Sequence, residues 1–91
     1  MQTNDLLNTR QKTHGSFNEN AFISAYNKQF WRSRPGWERL TPLQQEALDM
    51  ISLKISRILS GRPNEVDHWD DIAGYAKLAA DQIRNINDLP R

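Results

Sequence analysis

Apolar residues recur along the chain at three- and four-residue steps, the repeat of an α-helix with one apolar side. Phe22, Ile23, Tyr26 and Phe30 make one aromatic face. Ala47, Leu48, Ile51, Ile55, Ile58 and Leu59 make a second stripe, and Trp69, Ile72, Ala73, Ala76, Ala80 and Ile83 a third. No run of alternating β-branched residues and no Asn-Gly or Asp-Gly hairpin turn breaks the pattern. The pattern predicts an all-α fold: one domain over residues 1–91, a small bundle of three to four helices.

Polar punctuation sets the expected boundaries. Asn4 caps a short helix over 5–13 with only Leu6 and Leu7 to bury, and Gly15 offers its stop. Asn18 is the expected cap of a second helix, 19–32, with Glu19 in its first turn, and Pro35 and Gly36 end it. Thr41, Pro42 and Gln44 read as a capping box with proline at the first helical position, opening a helix over 42–60 that stops at Gly61. A fourth helix, 67–87, starts from Asp67 as cap and buries the Trp69–Ile83 stripe. The short 61–67 connection makes the last two helices an antiparallel hairpin.

That hairpin carries the most suggestive chemistry. "DHWDDIAGYAKLAA" gathers Asp67, Asp70 and Asp71 at the head of the last helix. Carboxylates three or four residues apart share a helix face and suit magnesium, which wants hard oxygen ligands. With Glu46 and Asp49 they would make the acidic set of a magnesium-dependent nucleotide pyrophosphohydrolase. Antiparallel geometry opposes this. Glu46 and Asp49 sit at the far end of their helix, and the residues facing the aspartates are Lys54 and Arg57, the latter about 16 Å further on from residue 46. Capping, the helix dipole and an ion pair to Lys54 or Arg57 explain the aspartates without a metal. His68 reads as an exposed first-turn residue, and the place of His14 relative to this cluster stays open.

Two further patterns bear on binding. Asp67, Asp71, Gly74 and Leu78 form a strip off the expected core face, and Leu43, Glu46, Met50, Leu53 and Arg57 form a comparable one. Either strip is a partner or oligomer contact, or is covered by the first two helices. The 32–39 stretch interleaves Arg32, Arg34 and Arg39 with Trp37, a composition that serves phosphate and base contacts or internal arginine–aromatic stacking.

Composition then narrows the classes. A net charge of +1 argues against a DNA-coating protein, and the lack of cysteine excludes a disulfide scaffold and Cys-ligated zinc. No apolar run approaches a membrane span and no signal-peptide core is visible, so the expected setting is the cytoplasm.

"LLNTRQKTHGSF", "WERLTPLQQEALDMISLKISRILSG" and "DHWDDIAGYAKLA" together resemble a family of short, functionally uncharacterised proteins of tailed bacteriophages and prophages, over roughly residues 6–83. The resemblance implies an all-α accessory protein of the bacterial cytoplasm and carries over no catalytic residue. The last two helices are also similar to MazG-like nucleotide pyrophosphohydrolases. There Lys54-Ile-Ser-Arg57 falls where that family places Glu-x-x-Glu, and His68-Trp69-Asp70-Asp71 where it places Glu-x-x-Asp, so only Asp71 keeps its acid. The expectation is a non-enzymatic module, possible as a homo-oligomer, that occupies a host protein or a small nucleotide and so inhibits a host or antiviral-defence factor. Arg32, Arg34, Trp37, Arg57, Asp71, Gly74 and Leu78 are its candidate contacts, with no metal or cofactor. The hydrolase with Mg2+, and nucleic-acid binding through the 32–39 loop, are the alternatives.

Overall fold

The computed structural model describes residues 10–88. Three helices dominate: α1 (Phe17–Arg32), α2 (Pro42–Ser60) and α3 (Val66–Asp88). A helical segment at residues 10–14 precedes α1, and a 3-10 turn, Pro35–Arg39, leads towards α2. No strand occurs among the described residues. The fold is a small all-α bundle ending in an antiparallel hairpin. The expected cap at Asn4 and the start of the 5–13 helix lie outside the described residues.

Local chemistry sets the helix ends. The cap of α1 is Ser16, not Asn18: its hydroxyl accepts from the Glu19 amide at 3.1 Å. Gly15, at φ 77°, makes this possible by turning the chain sharply just before the cap. The Thr41 box is complete. Thr41 Oγ1 accepts from the Gln44 amide (3.1 Å), and Gln44 Oε1 accepts from the Thr41 amide (2.9 Å). Asp67 is not a cap, because α3 already begins at Val66, which places Asp67 inside the first turn near the positive end of the helix dipole.

Both outer helices pack on α2 and barely touch each other. Both run antiparallel to it. On one side Asn20 meets Ser56, Ser24 meets Ser52 and Arg32 meets Asp49. On the other, Thr41 meets Gln82 and Lys54 meets Asp71. The molecule is thus three helices abreast with α2 in the middle.

The faces that meet are not the apolar ones. The α1–α2 seam is lined by Asn20, Ser24, Ser52 and Ser56, all buried, and the two α2 serines are fully so. Small hydroxyl side chains let two backbones approach closely while their protons bond to carbonyls, as Ser56 does to Leu53 at 2.6 Å. The aromatic face of α1 consequently points away: Phe22 is 71% exposed and Tyr26 67%. On α3 the inward face is His68, Ile72, Tyr75, Ala79 and Gln82, about a quarter turn from the expected stripe. Trp69, Ala73, Ala76 and Ile83, expected inside, are exposed, and His68, expected outside, is 2% exposed. The shift has a cause. Gln82 holds Thr41 across the hairpin and His68 reaches the Thr13 carbonyl ahead of α1, which fixes the rotation of α3 in favour of its polar hooks.

Candidate functional site

Residues 13–16 form a strap across the end of α2, and a hub of hydrogen bonds ties it down. The Thr13 carbonyl accepts from the Arg62 amide and from His68 Nε2, both at 3.0 Å. The second bond requires the proton on Nε2 and so fixes the His68 tautomer. The His14 carbonyl accepts from Asn20 Nδ2 (2.6 Å), while Asn20 Oδ1 accepts from Ser60 Oγ (2.7 Å) and lies 3.2 Å from Ser56 Oγ, whose proton goes to Leu53. Two glycines let the chains cross. A Cβ at Gly15 would land on Ser60, and one at Gly61 on the Thr13 carbonyl and the Gly15 amide. Gly61 ends α2 as expected, but at φ −115° its reason is this close crossing rather than a left-handed turn.

The strap roofs a cleft of about 450 Å3 lined by Arg10, His14, Phe17, Asn20 and Arg57. A second hollow of about 360 Å3 shares Phe17, Asn20 and Arg57 with it and continues along Ala21, Ala25, Leu53 and Lys28. One end is therefore cationic and polar, the other apolar with an ammonium on its lining. Among the described residues neither Arg10 nor Arg57 makes an ion pair. The His14 ring meets the His68 ring edge-on at 5.1 Å, and its buried Nδ1 has no hydrogen-bond partner. Burial holds the His14 imidazole below its ordinary pKa, and Arg57, His68, Lys54 and Arg10 push it the same way. With two guanidinium groups and no carboxylate on its lining, this end of the cleft favours anions.

The sequence-expected acids do not converge on one another. Asp49 Oδ2 is held by Arg32 at 2.7 Å, and Asp71 Oδ2 by Lys54 at 2.9 Å. The hydrogen bond from Lys54 is the main reason the Asp71 carboxyl is held below its usual range, partial desolvation opposing it. Glu46, Asp67 and Asp70 are exposed, and among the described residues no three acidic or histidine side chains are grouped to hold a metal ion. The donor set of a magnesium site is therefore not assembled here. Gly74 has nothing within 4 Å of where a Cβ would stand, so no neighbour among the described residues explains that glycine. It shares with Asp70, Asp71, Tyr75 and Leu78 an open hollow on α3, which α1 does not cover. In the 32–39 stretch the Arg32 guanidinium lies 5.1 Å from the Trp37 ring and that of Arg34 lies 5.5 Å from the Phe30 ring, so these cations stack within the chain.

A match over most of the chain places it among known sequences. The chain belongs to the DUF6378 family. That family, described as a domain of unknown function, matches residues 1–83. No curated protein and no solved structure shows significant similarity to it. Of the DUF6378 residues that build the cleft, only Arg57 was visible as a candidate in the sequence. Arg10, His14, Phe17 and Asn20 come together through the strap. The one local signal was His14-Gly15-Ser16, a histidine at a sharp turn directly before a helix cap.

Proposed function

We propose that this chain is a non-enzymatic binding protein that holds a small phosphate-bearing nucleotide in the cleft beneath the strap. The single observation that carries the reading is the joined pair of hollows, cationic at Arg10 and Arg57 with the His14 imidazole beside them, and apolar along Phe17, Ala21, Ala25 and Leu53. Guanidinium groups grip phosphate oxygens through paired, charge-assisted hydrogen bonds, and a phenyl ring offers a stacking surface to a base. Lys28 adds a third cation along the apolar hollow. The chemistry asked of these residues is capture, with no bond made or broken. The setting, an accessory protein that keeps a nucleotide from a host or antiviral-defence factor, comes from the resemblance to short phage proteins alone.

Titration calorimetry of the full chain with nucleoside mono-, di- and triphosphates tests this reading. Binding is expected with and without magnesium, and Arg57→Ala should weaken it by about tenfold to a hundredfold, the loss of one charged hydrogen-bonded contact. No heat at millimolar nucleotide would overturn the proposal. So would magnesium-dependent release of pyrophosphate that Asp71→Asn abolishes.

A further inference from the structure

Helical periodicity places the side chains of the three abreast helices on two opposite faces, and the faces differ in kind. One bears the cleft, the Arg32–Asp49 and Lys54–Asp71 pairs, Asp70 and the strap. The other is apolar on all three helices. α1 presents Ile23, Tyr26 and Phe30 there. α2 presents Leu48, Ile51, Ile55 and Leu59. α3 presents Val66, Trp69, Ala73, Ala76, Ala80 and Ile83, whose alternating steps of three and four are the spacing of a helix–helix seam.

Among the described residues nothing covers this face. Leu59 is 68% exposed, Val66 61%, Phe30 55% and Trp69 54%, and even Ile51 and Ile55, in the middle of the central helix, are only half-buried. Among the described residues Ala47 is the sole buried hydrophobic. Helical domains are built from packed layers around a shared core, and a single layer has no core of its own. Monomers rarely expose a continuous apolar patch beyond roughly 300–600 Å2. Rows running the length of three helices make such a continuous patch.

We infer that the apolar face docks against the same face of a second copy, so that the folded unit is a two-layer homodimer. Three features select a second copy. Residues 1–9 and 89–91 bring only Met1, Leu6, Leu7 and Leu89 as large apolar side chains, too little to cover three helices. The rows hold no charge with which to choose a different partner, while the charged groups Lys77, Asp81 and Arg84 lie at the margin of α3 and pair with one another. This is the apolar centre and polar rim of a self-complementary interface. Finally, a chain whose core forms only when the face is covered needs that cover whenever it folds, and a second copy is always present. The dimer leaves both clefts on its outer surfaces, so it stands or falls independently of nucleotide binding.

Sedimentation velocity of the full chain should show a species of twice the chain mass at micromolar concentration. Its unfolding temperature should rise by about 5–10 °C over a hundredfold increase in concentration. Ala76→Glu puts a charge in the middle of the α3 row, on an exposed position and with a good helix former, and should shift the population towards monomer. Leu78→Glu, exposed on the opposite side of α3, should leave the dimer intact. A monomeric wild type with concentration-independent unfolding overturns the inference, including a monomer that binds lipid vesicles through this face. So does dissociation by Leu78→Glu with none by Ala76→Glu.

Discussion

Three single residues show how far local chemistry reaches. Gly74 lies inside α3 with open space around it, so Gly74→Ala should stabilise the fold by about 1 kcal/mol, visible as a higher urea midpoint. The same change at Gly15 should have the opposite sign. There φ is 77° and the new methyl would meet Ser60, so a loss of at least ~1–2 kcal/mol is expected from the left-handed backbone alone. His14 links stability to pH. Its folded-state pKa lies below the unfolded value of 6.5, so between the two values the unfolded chain takes up a proton that the folded chain refuses. The stability tied to neutral His14 is present above about pH 6.5 and is lost as pH falls through the lowered value. Thermal melts across pH 7 to 5 should show this slope, reduced in His14→Gln.

At the scale of the element, the hairpin of α2 and α3 depends on polar hooks near both ends. Thr41 caps α2 and also donates to Gln82 Oε1 at 2.7 Å, so Thr41→Ala should cost about 1 kcal/mol for the cap and more for the stranded amide. Near the other end Lys54, with 12% of its side chain exposed, leans on the more exposed Asp71. Removing Asp71 strands the better buried charge, whereas replacing Lys54 by methionine removes that charge and keeps the packing. Asp71→Asn should therefore lower the unfolding midpoint more than Lys54→Met, a comparison that denaturant titration of both variants settles. The ranking reverses if Asp71 were instead the residue in need of its partner.

At the scale of the whole molecule, the two faces divide the work: one gathers cations under a strap, the other carries the apolar surface that a lone layer cannot hide. Salt provides a check on the first. On the proposed reading Arg10, Arg57 and Lys28 act on a nucleotide through charge, so affinity should fall as ionic strength rises, and calorimetry at 50 and 300 mM salt measures it. Dimer mass should hold over the same range, since burial of uncharged surface is not weakened by screening.

The sequence by itself determined the elements. Helical class, the Thr41–Gln44 cap, the stop at Gly61 and the antiparallel hairpin all rest on interactions within a few residues, and these are written in local order. The opposition of Lys54 to an aspartate was legible too, because two antiparallel helices and a short turn leave little freedom. Only the tertiary structure decided which way the helices face. Periodicity shows that α3 has an apolar side, but not that His68 and Gln82 would turn that side outward to reach Thr13 and Thr41. Nor does it show that four small polar residues would hold α1 to α2. A stripe records that some surface must be covered. What covers it is set by contacts between residues far apart in the chain, and here, on the reading above, by a second chain.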